Sequence, residues 1–255
     1  MAIDIERGPI PAATITAKST NERLFEAYHT YSRRATVLDA GARRTIFRSF
    51  RRVFKGWLPA DRSAPILDIA CGEGSLLCYL RELGYTNLAG CDLSPENVAI
   101  CHQLGLSFVR EFDALRVAEM PGIGKYGTIF LMDILEHLPK QRAAAFLEQV
   151  RSLLLPEGCL ILEAPNMGNL LACLHLYCDL SHEWGLTEKT AVDLLMLAGF
   201  APSQVDVRAA WNATTWAGNV REIYLRLLHR LIWLSEQSGR PTIPTQNLLV
   251  RATAR

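Results

Sequence analysis

Two acids and two histidines mark where this chain could do chemistry. Asp68 stands in the run Leu67-Asp68-Ile69-Ala70-Cys71-Gly72-Glu73-Gly74, and Asp92 follows it by 24 residues. A turn carrying small residues lets backbone approach a ligand and aim its amides at it. An acid at the end of the next strand is placed to accept hydrogen bonds from both hydroxyls of a ribose. Such a turn is also an ordinary strand-to-helix connection; the turn and the acid together point to a nucleoside. The dinucleotide fingerprint G-x-G-x-x-G does not complete, because its third position falls on Leu77 counted from Gly72, or on Ser75 counted from Ala70. No Walker lysine follows the glycines.

The histidines are His137, after a buried apolar run, and His182, inside the long connection 166–186. Histidine titrates near neutrality, so either could take a proton from a hydroxyl. His182, with Asp179 to orient it, is the first candidate base and His137 the second. Each has a plainer reading: a loop-pinning hydrogen bond for His182, a helix-start contact for His137.

The elements that must position these groups alternate between strand and helix patterns, as a parallel sheet covered by helices requires. Strands are predicted at 65–70, 87–91, 107–110, 127–132, 159–163, 205–209 and 247–252. Helices fall at 76–83, from Ser94-Pro95-Glu96 onward, at 140–155 and from Thr187 to Gly199. Residues 1–20 read as a flexible tail and 21–255 as one domain: N-terminal helices over 21–57, a core over 64–210, an added helix over 218–237 and the last strand. On the 43–55 helix, Arg43, Arg44, Arg48, Arg51, Arg52 and Lys55 form a face opposite the apolar one, either solvated or available to an anionic acceptor or a membrane surface. The 218–237 helix has a broad apolar side suited to a lid, a subunit contact in a homodimer, or packing on its own sheet.

Composition narrows the classes. A net charge of +1 gives no general affinity for nucleic acid. Seven cysteines without a C-x-x-C pair fit neither a disulfide framework nor a zinc site, so no metal is expected and a reduced, cytoplasmic setting fits best. No signal peptide is evident, and the longest apolar run, 223–234, is broken by Arg226, His229 and Arg230.

The run 67–74 resembles the first motif of class I S-adenosylmethionine-dependent methyltransferases, D-x-G-C-G-x-G, with Ala70 replacing the first glycine. The resemblance continues through Gly90-Cys91-Asp92-Leu93-Ser94, Phe112-Asp113-Ala114, Leu131 to Leu138, Leu155-Pro156-Glu157-Gly158 and Ala198-Gly199-Phe200. It implies a Rossmann-like, doubly wound α/β sheet of seven strands, order 3-2-1-4-5-7-6 with strand 7 antiparallel, extra N-terminal helices and a helical insertion before the last strand. It also implies S-adenosyl-L-methionine as cofactor, held by Asp68, Ala70, Gly72, Gly74, Asp92, Leu93, Asp113, Ala114 and Met132. In that scheme Asp68 fixes the glycine loop and faces the methionine amino group through water, Asp92 holds the ribose, Leu93 packs on the adenine and Asp113 accepts its exocyclic N–H.

The segment Asp179-Leu-Ser181-His182 and the termini (Tyr28, Tyr31, and 246–250) are similar to a subgroup of bacterial surface-glycan and lipopolysaccharide pathways. The expected reaction is methylation of a hydroxyl on a sugar or glycan intermediate. Alternatives are a phenol, quinone precursor or other small metabolite as acceptor, a nicotinamide-dependent oxidoreductase, and a silent nucleoside-binding protein.

Overall fold

The computed structural model describes residues 20–26, 37–235 and 241–254. Along the chain these form α1 (Thr20–Glu26), α2 (Ala40–Val53), β1 (Ile66–Ile69), α3 (Ser75–Glu82), β2 (Leu88–Asp92), α4 (Pro95–Gln103) and β3 (Val109–Glu111). They continue as β4 (Tyr126–Met132), α5 (Ala143–Ser152), β5 (Leu154–Pro165), α6 (Ala172–Tyr177), α7 (Glu188–Leu197), β6 (Val205–Ala209), α8 (Trp216–Ile232) and β7 (Asn247–Thr253). The strands make one sheet in the order β3-β2-β1-β4-β5-β7-β6, with β7 antiparallel to both neighbours, as the motifs implied.

The sheet is apolar on both faces because helices cover both. In β4, Ile129 and Leu131 pack with Phe146, Leu147 and Val150 of α5, while Phe130 turns to the other side. There its ring meets Phe54 edge-on at 5.4 Å, beside Tyr79 and Leu80 of α3. Period-two alternation in a doubly covered strand therefore yields two cores from one apolar run.

Helix starts follow local chemistry. Asp39 accepts from the Ala42 amide at 2.6 Å, Ser94 caps α4 with Pro95 next to it, and Thr187 and Thr190 form a reciprocal capping box. Several boundaries differ from the sequence reading; the third strand is Val109–Glu111, α2 ends at Val53 and the added helix is Trp216–Ile232. Thr20, expected in the tail, begins α1. The helix expected over 140–155 is a 3-10 turn over Lys140–Arg142 followed by α5, because Pro139 sets the entry. Pro156-Glu157-Gly158, expected as a turn, lies within β5, where Glu157 takes φ 61° and the pairing with β4 shifts register. Tyr28, Tyr31 and residues 1–19 lie outside the described residues, as do 236–237 of the added helix.

The basic face of α2 is also less uniform than its spacing suggests. Arg52 leaves it to reach α8, donating to Glu222 at 2.5 Å, to the Ala213 carbonyl at 2.7 Å and to Asn219 at 2.8 Å.

Phe130→Ala should lower unfolding free energy by about 3–5 kcal/mol, since the void it leaves lies at the junction of α2, α3 and the sheet. Urea denaturation followed by circular dichroism measures it; a loss below about 1 kcal/mol would mean the junction collapses freely around the void.

Candidate functional site

The carboxyl ends of β1, β2, β4 and β5 open into a cavity of about 640 Å³, within the range of small-molecule sites. Its floor is the turn after β1. Ala70, Gly72 and Gly74 there all have positive φ, at 58°, 56° and 78°. A Cβ added at Gly72 would meet nothing within 4 Å beyond its chain neighbours, so the backbone faces open space. At Gly74 an added Cβ would lie 2.5 Å from Leu106 and 2.9 Å from Cys101. Gly74 thus serves the close packing of α3 near α4, and unlike the other eight residues assigned to the cofactor from sequence it does not line the cavity.

Asp92 ties this turn to β2. One carboxylate oxygen accepts from the Gly72 amide at 2.8 Å; the other accepts from the Ser94 amide at 2.9 Å and Asn97 Nδ2 at 3.0 Å. Burial raises its pKa, while those three donors pull it down. Asp68 is 2% exposed, and its Oδ2 has no hydrogen-bond partner. Burial, with the charge of Asp92 adding to it, raises the Asp68 pKa well above the ordinary carboxylate range. A buried, unpartnered carboxylate oxygen on a cavity wall suits a cationic ligand group. Asp113 caps the following 3-10 turn by accepting from the Leu115 amide at 2.9 Å, and Leu93 remains 45% exposed at the wall.

The two histidines stand together, ring centroids 4.7 Å apart, but only His137 lines the cavity. His137 Nδ1 lies 2.8 Å from Ser181 Oγ, which lies 2.5 Å from Asp179 Oδ1. The serine has one proton, and the ionised carboxylate can only accept. Ser181 therefore donates to Asp179 and accepts from His137 Nδ1–H, leaving the lone pair of a neutral His137 on Nε2. The Asp179 carboxylate also accepts from the Ser181 amide at 3.0 Å, an Asx turn that folds it over its own backbone. Asp179, expected to orient His182, is thus held onto Ser181, and through it orients His137. His182 instead places Nδ1 3.2 Å from the His175 carbonyl and Nε2 4.0 Å from Glu136. Glu136, His137 and His182 each bring one ligand atom within 4.8 Å of the others, a set able to hold a cation.

Sequence reasoning missed much of the wall. Phe25 lines it from α1, and Ile46 and Phe50 line it from α2, where their helical spacing reads only as an apolar face. Asp133, Glu163 and Asn247 line it too, with Asn247 Nδ2 donating to Asp133 at 3.1 Å and to Glu163 at 2.8 Å. The available signal was position: all three stand at strand ends on the side of the sheet where the turn lies.

Residues 38–201 match the family model described as a methyltransferase domain. Among curated proteins, the chain is 31% identical over 104 residues to a tRNA U34 carboxymethyltransferase of Idiomarina loihiensis, covering 38% of this chain and 32% of that one. It is 31% identical over 105 residues to a magnesium-protoporphyrin O-methyltransferase of Synechocystis, covering 38% and 44%. The matches thus span less than half the length of these relatives. Among solved structures, a SAM-dependent methyltransferase from Archaeoglobus fulgidus superposes with TM-score 0.63 at 21% identity, covering 89% of this chain and 99% of that one. The Synechocystis magnesium-protoporphyrin IX methyltransferase with bound SAM gives 0.55 at 17%, covering 94% and 100%. The chain belongs to the methyltransferase-domain family.

Ala70 occupies a left-handed conformation that costs an L-residue roughly 1–2 kcal/mol. Ala70→Gly should therefore raise stability by up to about 1 kcal/mol, the gain being reduced by glycine's greater freedom when unfolded. Thermal denaturation reads it, and a lower melting temperature would show that the Ala70 methyl contributes packing that outweighs the strain.

Proposed function

We propose that this chain is an S-adenosylmethionine-dependent methyltransferase whose residues 21–255 work as one domain. The acceptor is a hydroxyl of a sugar or glycan intermediate. The reading is supported chiefly by one cavity, lined together by the glycine turn, Asp68, Asp92 and His137. S-adenosylmethionine supplies an electrophilic methyl group on a sulfonium, and the residues of the chain bind, orient and deprotonate. Family membership sets aside the nicotinamide-dependent oxidoreductase.

Asp68 offers its unpartnered oxygen to the cofactor's ammonium group. Asp92 has about four acceptor positions and uses three on the chain itself, leaving one at the oxygen that faces Gly72 for a ribose hydroxyl. Ala70 and Gly72 bring the backbone against the cofactor. Leu93 and Ala114 pack on the adenine, Asp113 accepts its amino N–H, and Met132 packs from the end of β4.

His137 takes the acceptor proton on Nε2, since the Asp179–Ser181–His137 chain holds Nδ1 protonated and the ring in place. A Glu136 carboxylate, with an oxygen within 4.8 Å of the His137 ring nitrogen, favours the positive charge that His137 gains. This reverses the order expected from sequence, where His182 came first. Asp133, Glu163 and Asn247 on the same wall suit an acceptor with several hydroxyls. A phenolic or quinone-precursor acceptor is the second reading, favoured by the rings of Phe25 and Phe50 on that wall. Incubation with candidate acceptors of both kinds and mass spectrometry of the products decides between them.

If Asp68 must be ionised to hold the cofactor's ammonium, adenosylhomocysteine affinity should fall as pH drops through the raised Asp68 pKa. The charged form persists only above it. Calorimetric titration across pH tests this: Asp68→Asn should bind more weakly at neutral pH and lose the slope. An unchanged slope would remove Asp68 from that role.

As general base, His137 contributes roughly 10²–10⁴-fold to the rate. His137→Ala should lower kcat by that much while leaving adenosylhomocysteine affinity nearly intact, and His182→Ala should cost less. A larger loss on substituting His182 would restore the order read from sequence.

A further inference from the structure

The inner and outer faces of α8 (Trp216–Ile232) have opposite characters. Its inner side is pinned by polar contacts. Glu222 is 6% exposed and bonds Arg52 and the Ala213 amide, and His229 is 4% exposed with Nε2 2.8 Å from the Pro241 carbonyl. Its outer side is apolar. At about 100° per residue, Trp216, Val220, Ile223, Tyr224, Leu227 and Leu231 fall within an arc of about 100°. All six are exposed, from 45% at Val220 to 81% at Trp216. Arg226 and Arg230 flank the arc on one side and Arg221 on the other, all exposed.

We propose that α8 lies on an anionic membrane surface, with its apolar arc among the acyl chains and its arginines among the headgroups. Charge decides the occupant. Glu222 is the one acid in the Trp216–Ile232 sequence, and it is turned inward onto Arg52. A second copy pairing through the same arc would bring arginine flanks together with no acid on the helix to meet them. An anionic lipid surface complements both flanks, while tryptophan and tyrosine suit the boundary between water and hydrocarbon. Leu171, Leu174, Tyr177 and Leu180 in and beside α6 extend the exposed apolar ground. The turn before α6 and the end of α8 both pack at Pro241, where a Cβ on Gly168 would lie 2.9 Å from the proline ring. Among the described residues no helix is long and apolar enough to cross a membrane. Attachment is therefore in the plane of the surface, and it leaves the cavity reading untouched.

The test uses the full chain and sedimentation with vesicles of phosphatidylcholine, with and without phosphatidylglycerol. Binding to the mixed vesicles is expected, falling with added salt. Arg226→Gln and Arg230→Gln should each weaken it roughly fivefold, since each arginine near an anionic surface contributes about that factor. Leu227→Asp with Leu231→Asp should abolish it. Arg230→Gln alters an exposed side chain, so it keeps the test decisive if the leucine variant does not fold; Arg226 also lies over the Trp211 ring at 4.3 Å, and circular dichroism reports whether its loss disturbs folding. Failure to bind mixed vesicles, equal binding to neutral ones, or arginine variants that bind like the native chain would overturn the proposal. So would a dimer, by light scattering, that the leucine substitutions split.

Discussion

The hydrogen bond from the Gly72 amide to Asp92 is the contact on which the rest of the site depends. It fastens the turn leaving β1 to the end of β2 across the sheet, so two adjacent strands present one edge to the ligand. The same carboxylate fixes the start of α4 through the Ser94 amide and Asn97. Three donors converging on it favour its charged form, since hydrogen bonds to an ionised acceptor are stronger than neutral ones. Burial opposes the charge, and the balance leaves Asp92 and the neighbouring Asp68 as two acids whose ionisation a cationic ligand would favour.

A second constraint acts around the histidines. A short Asx turn places Asp179 over Ser181, and the serine hydroxyl then has a single direction in which to donate. His137 inherits its tautomer from that choice. Orientation here comes from counting protons along a chain of three groups rather than from the type of any one residue. His182 lies against His137 without lining the cavity, so nearness to the cavity and access to it are separate properties.

Helix α2 serves both the cavity and α8. Its apolar side closes the cavity with Ile46 and Phe50, and Arg52 reaches away from it to hold α8. Wall and outer helix therefore share one support, and a change at Arg52 would be felt in the placement of α8.

Much of this was legible in the chain itself. Apolar runs with helical spacers between them specify a parallel sheet, because only covered strands can be apolar on both faces. The positions 67–74 and 92 are close in sequence to the strand ends that carry them, so local turn chemistry determines where they stand. The strand order followed from the family motifs, and pairing in the structure agrees with it. Three-dimensional packing alone decided the rest. Ser181, 44 residues from His137, has no local signature as the link between that histidine and Asp179. Neither does the meeting of Asp133, Glu163 and Asn247, which depends on β7 entering antiparallel beside β5 and bringing Asn247 to the cavity. Arg52 looked like one member of a solvated basic face, since helical spacing shows which side a residue is on but not what another helix brings to it. Local sequence sets conformation over a few residues; which side chains from distant segments share a proton or a wall is set by how the layers pack.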